Sequence, residues 1–102
     1  MGRRPPTDEE MRAPRARIRR GGSVVYFIRG TNLIKIGCSD DPEARLKALQ
    51  IGSPAPLRIV ASISGGYELE RTLHARFVKY RAHGEWFHAA DEILSYLQEI
   101  QR

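Results

Sequence analysis

The chain has 102 residues, 41% of them apolar, which is enough for one domain around a single modest core. It carries a formal net charge of +5 and one cysteine, Cys38, which excludes an intrachain disulfide and fits a reducing cytoplasm. No apolar run approaches the roughly 20 residues that span a bilayer, none follows the basic start as a secretory signal would, and Pro6 stands where a myristoylation site has Ser or Thr.

The charge is uneven along the chain. Residues 1–22 hold seven Arg against Asp8, Glu9 and Glu10, with Pro5, Pro6 and Pro14 and few large apolar side chains. Such a segment cannot bury enough surface to offset the entropy of ordering. A flexible Arg-rich arm is therefore expected over 1–22, ending at Gly21-Gly22, with a folded domain over 23–102. Arg15, Arg17, Arg19 and Arg20 are its candidate nucleic-acid contacts, because the guanidinium fork matches phosphate. A solvated leader reads equally well from the same composition.

From Ser23 the texture changes. "VVYFIR" is β-branched and aromatic, as strands are, and "LIKIG" is a second strand beyond the turn residues "GTN". A turn centred on Gly30-Thr31 would set Tyr26 directly across from Lys35. "SDDPEARLKALQ" starts a helix, with Asp41 as N-cap and Pro42 at the first helical position. "IGSPAP" is a loop, and "LRIVASI", residues 57–63, is a third strand that "SGG" ends. "YELERTLHARFVKYR" is the longest helical pattern, with Leu69, Leu73, Phe77 and Tyr80 on one stripe. "AHGEWFHAAD" is a turn or short extended piece, and "DEILSYLQEI" is a closing helix with Ile93, Leu94, Leu97 and Ile100 inward. The order β-β-α-β-α-α predicts an α+β fold, a small three-stranded antiparallel sheet flanked by helices. A sheet covered on both faces accounts for the lack of clean alternation in the first two strands.

An ammonium across from a phenol favours the phenolate, and such a tyrosine can take a proton from water. On the two residues alone, a snorkelling Lys35 beside a half-buried core Tyr26 is the plainer reading. Arg45 reads as a solvated or i,i+4 helix charge, and Glu70 as a surface carboxylate paired with Arg71 or hydrogen-bonded to His74 four residues on. Trp86 and Phe87 read as core closure more readily than as a stacking platform. Glu85 reads as a partner for backbone amides of the turn before them. His83 and His88 lack further ligands at the spacing a structural zinc needs.

In combination, "VVYFI", "IKIGCSDDPEARL", "ELERTLHARF" and "GEWF" resemble the GIY-YIG nuclease superfamily. The chain looks most like the small phage- and fungus-named branch whose second motif reads K-I-G. The resemblance covers roughly residues 23 to 88. It implies a DNA endonuclease that uses Mg²⁺ or Mn²⁺, with DNA as partner. Tyr26 matches the tyrosine of the first motif, and Lys35 stands where the second motif usually has tyrosine, before Ile36 and Gly37. Arg45 matches the arginine of the first helix, Glu70 the metal-holding glutamate, and His74 the end of an "ExxxH" pattern. Glu85, Trp86 and Phe87 form the branch signature with Gly84. In this reading Tyr26 is the base assisted by Lys35, Arg45 clamps phosphate, and Glu70 holds the metal. Val24 replaces the first glycine, and the only asparagine, Asn32, lies in the hairpin turn, so the late asparagine of many members is missing. A binding module of the same fold without turnover is the alternative. An adaptor that docks an acidic protein is a third. So small a domain offers little surface for reading bases, so sequence choice would come from the arm or a protein partner.

Overall fold

A computed structural model describes residues 23–102; the arm over 1–22, with Arg15, Arg17, Arg19 and Arg20, lies outside the described residues. The elements are β1 (Val24–Gly30), β2 (Leu33–Ser39), α1 (Pro42–Ile51), β3 (Arg58–Ser64), α2 (Tyr67–Arg76), a 3₁₀ turn (Val78–Tyr80), β4 (Arg81–His83), β5 (Trp86–His88) and α3 (Asp91–Ile100). The α+β class and the antiparallel sheet agree with expectation. The sheet has five strands instead of three, in the order β3-β1-β2-β5-β4. The two extra strands come from the "AHGEWFHAAD" segment. Gly84 sits at φ 61, which lets the chain reverse tightly enough for β5 to pair with both β4 and β2. Three-residue strands leave almost no periodic trace in sequence, which is why they escape a pattern reading.

The β1–β2 register also differs from expectation. The turn lies at Thr31-Asn32, so Tyr26 pairs with Gly37 and Lys35 pairs with Ile28. Gly30 belongs to the strand and not to the turn. A Cβ there would come 2.6 Å from Leu57 Cδ2, so this glycine answers to packing. Thr31 takes the left-handed conformation instead, at φ 53. A shift of two residues keeps the same side chains on the same face. Tyr26 and Lys35 therefore remain together as diagonal neighbours, typically about 7–8 Å apart.

Alternation splits the sheet residues between two layers. Val25, Phe27, Ile34, Ile36, Ala61 and Phe87 meet Leu73 and Phe77 from α2 and its end, and Ile93 and Leu97 from α3, in the main core. Tyr26, Ile28, Lys35 and Gly37 face the opposite side, where α1 packs. Val25, Tyr26, Phe27 and Ile28 are all at most 1% exposed, as a sheet covered on both faces requires. Leu94 and Ile100 pack against the core edge as expected of the closing helix. Among the described residues no helix is long and apolar enough to cross a membrane.

α1 starts where its sequence signals place it. The Asp41 carboxylate accepts from the Ala44 amide at 3.2 Å, and Pro42 occupies the first helical position. Because α1 buries no residue fully, its cap is a large share of its local stability. Asp41→Ala should cost about 1 kcal/mol, read as a melting-temperature drop of about 4–8 °C. An unchanged melting curve would show that α1 is held by packing alone.

Candidate functional site

The site forms in the notch of the sheet where β5 begins beside Lys35 and β2 runs on past it. Gly37 is the residue that makes room for Tyr26. A Cβ on Gly37 would stand 2.5 Å from the Tyr26 hydroxyl oxygen and 2.7 Å from Cζ, so the phenol lies flat over the strand backbone. The glycine of the K-I-G motif thus has a local physical cause, and Tyr26 is nearly fully buried beneath it.

Lys35 extends from the same face and turns to the sheet edge. Its Nζ sits 2.7 Å from Glu85 Oε1 and 5.9 Å from the centre of the Trp86 ring. The ammonium is thus committed to Glu85. This corrects two expectations, that Lys35 faces Tyr26 directly and that Glu85 serves only the backbone of the turn. The Glu85 backbone does bond to β2, its carbonyl accepting from the Ile36 amide at 3.0 Å.

Glu70, carried by α2 from the other side of the sheet, meets Glu85 at this edge. Its side chain is 8% exposed. Burial pushes its carboxyl up to about 7, and the hydrogen bond and charge of Glu85 push the same way; the Cys38 thiol and the Lys35 charge pull against them. At Glu85 burial is the largest influence and opposes ionisation, but the charge and hydrogen bond of Lys35, together with the hydrogen bond from Glu70 and the His74 ring, hold that carboxyl below its usual value. Two carboxyls whose surroundings drive them apart this way divide into a neutral and an ionised partner. Such a pair is a donor set from which a hard divalent cation displaces a proton. Among the described residues no group of three or more His, Cys, Asp or Glu is arranged around one metal position. A cation here would rest on one or two carboxylates with water completing its shell, as Mg²⁺ tolerates.

His74 lies one turn beyond Glu70, and its Nε2 is 2.8 Å from the Ile36 carbonyl oxygen. A carbonyl only accepts, so Nε2 carries the proton. The same atom is 3.6 Å from Glu70 Oε2, too far for a hydrogen bond. The ring also stands edge-on to Phe87 at 5.0 Å between centres. His74 is therefore a brace between α2 and β2 that holds the Glu70 turn in place.

Of the remaining expected residues, Arg45 is half-buried on α1, on the Tyr26 side of the sheet. Phe87 is core, whereas Trp86 lies on the opposite face and is only half-buried. The pairing of these two as core closure therefore holds for Phe87 alone, because adjacent strand residues point to opposite faces. The cleft over the carboxyl pair, of about 410 Å³, is also walled by Tyr67, Arg71 and Arg81. Tyr67 and Arg81 escape the sequence reading, and Arg71 enters it only as a surface partner of Glu70. Arg71 is adjacent to Glu70 in sequence, but Arg81 reaches the cleft only through the β4–β5 reversal, where its Nε bonds the Gly84 carbonyl at 2.9 Å.

A family model described as the T5orf172 domain matches residues 23–101. No curated protein and no solved structure matches the chain.

Proposed function

Since the chain belongs to the T5orf172 domain family, we propose that it acts on nucleic acid as a divalent-metal-dependent DNA endonuclease of the GIY-YIG type. Family membership supports a nuclease or nucleic-acid-binding role in general. The observation that carries the narrower reading is the carboxyl pair Glu70–Glu85 with Lys35 on Glu85 at 2.7 Å; the Tyr26 phenol laid over Gly37 lies on the same sheet face as Lys35.

In this reading Glu70, with Glu85 beside it, holds Mg²⁺ or Mn²⁺. Such an ion, if held there, would supply positive charge that offsets the negative charge developing at the phosphate. Tyr26 takes the proton from the attacking water, while Lys35, its diagonal neighbour on the same face, holds Glu85 in place. Arg45 from α1, and Arg71 and Arg81 on the cleft wall, offer forks for the phosphate oxygens. His74 positions Glu70 through α2. In-line attack by water leaves a 5′-phosphate and a 3′-hydroxyl.

A second reading, a nucleic-acid-binding module without turnover, is favoured by two specific observations. Lys35 is engaged by Glu85 at 2.7 Å, and Tyr26 is 1% exposed. Supercoiled plasmid with purified full chain separates the two. Nicking that needs Mg²⁺ or Mn²⁺, stops with EDTA and yields 5′-phosphate ends is the expected result. Binding without nicking from pH 7 to about 9, toward the range where phenols titrate, would select the binding module, and 3′-phosphate ends would rule out the proposed attack.

A further inference from the structure

On the sheet face that carries Tyr26 and Lys35, α1 packs over β3, β1 and β2. The Trp86 end of that face stays open. A groove of about 610 Å³ runs there between α1, the loop after it and β5, with Leu33, Leu49, Leu57 and the half-buried Trp86 among its walls. Among the described residues its lining holds no Asp, Glu, Lys or Arg. The loop wall is pinned. The Gln50 side chain donates to the Ala55 carbonyl at 3.0 Å and accepts from the Leu57 amide at 2.7 Å, and Ser53 Oγ donates to the same carbonyl at 2.8 Å. The groove is therefore held open by satisfied bonds, and apolar surface gathered in this way marks an interaction site.

Beside this hole stands a knob. Ile51, the last residue of α1, is 88% exposed, and the groove begins at the next residue, Gly52. Folding gains little from an isoleucine left in water. A knob and an uncharged hole one residue apart make the patch complementary to itself, which is what an isologous contact requires. A two-fold axis passing beside Gly52 would set each Ile51 against the groove of the other chain. Gly52 suits that axis. A Cβ there would meet nothing within 4 Å, so the backbone is bare where two copies would approach. Charge on the folded domain does not oppose the approach, since residues 23–102 hold ten Lys or Arg against nine Asp or Glu. An uncharged lining also gives a polyanion nothing to hold.

We propose that the Trp86 groove is a self-association surface, where two copies of this chain pair about a two-fold axis and each lays its Ile51 side chain in the groove of the other. The patch is small, so the dimer is weak and reversible. This pairing is independent of the nucleic-acid reading of the carboxyl cleft.

Sedimentation equilibrium of the full chain, from about 1 to about 500 μM, reads the association. Salt of about 1 M screens any bridging by nucleic acid. The expected result is a mass that rises toward two chains with concentration. Trp86 is the single tryptophan of the chain, so its emission reads the groove, and it should shift to the blue as the mass rises and water leaves. Ile51→Ser should weaken association at least about tenfold without lowering the melting temperature, because the side chain is 88% exposed. Gly52→Gln should do the same, since φ −95 is open to any residue and the added side chain stands at the axis. A single-chain mass at every concentration overturns the proposal. Association that leaves Trp86 emission unmoved, or that both variants retain, lies on another face and overturns it too. A chain that stays monomeric while an added apolar helical peptide shifts the Trp86 emission would give the groove to a different protein, which also overturns self-association.

Discussion

Glu70→Gln is expected to lower metal-dependent plasmid nicking at least about a hundredfold while the domain stays folded. The amide keeps the shape and hydrogen-bonding capacity of a side chain that is 8% exposed, but it offers no negative charge to a cation. The same substitution should change how stability depends on pH. The folded-state value of Glu70 is raised from 4.5 to about 7, chiefly by burial. A raised carboxyl favours the folded state most when protonated, so its contribution is full below 4.5 and is lost as pH rises through about 7. In EDTA the wild-type melting temperature should therefore fall across this window relative to Glu70→Gln. Mg²⁺ should restore the wild type above pH 7 and leave Glu70→Gln unmoved. Because binding displaces a proton, apparent Mg²⁺ affinity should weaken about tenfold for each pH unit below 7. Parallel pH profiles for the two proteins would remove Glu70 as a buried titrating group. Full nicking by Glu70→Gln would remove it as the metal carboxylate.

Gly37→Ala should destabilise the domain by about 1–3 kcal/mol and abolish whatever chemistry depends on the Tyr26 phenol. The added Cβ would lie 2.5 Å from the hydroxyl oxygen, 2.7 Å from Cζ and 3.2 Å from Cε1. A tyrosine that is 1% exposed has little free space to retreat into. Removing the ring removes the clash, so in a Tyr26→Ala background the added methyl should cost almost nothing. A double-mutant cycle by denaturant unfolding reads this coupling directly. Additive effects would mean that Gly37 is needed for another reason than the tyrosine above it. Tyr26→Phe would not relieve the clash, because Cζ remains.

Asp41 and Pro42 declare the start of α1 because capping is a local interaction, complete within four residues. The α3 stripe is legible for the same reason, since Ile93 and Leu97 repeat at helical spacing and are buried; the expected helix over residues 67–81 holds only to Arg76, after which Tyr80 lies in a 3₁₀ turn and Arg81 begins β4. The register of β1 against β2 is not legible in the sequence, because Gly30 looks like a turn residue yet pairs with Leu33 as the last residue of β1. Its need for a hydrogen side chain comes from Leu57, far along the chain. Trp86 and Phe87 read as one apolar pair, yet they lie on opposite faces once β5 pairs with β2.

What the sequence determined by itself was the set of elements with local codes and the identity of the charged candidates Lys35, Arg45, Glu70 and Glu85 and of the candidate phenol Tyr26. It also assigned the α+β class, because strand and helix periods are written within single segments. The tertiary structure alone decided which of those charges meet. Lys35 and Glu85 are 50 residues apart and pair at 2.7 Å, and Glu70 reaches them from a helix on the other side of the sheet. Proton sharing between the carboxyls depends on burial and separation, and neither is a property of a residue type. The same holds for the groove beside Trp86, whose walls come from five separate stretches of chain and exist as one surface only when the sheet has closed.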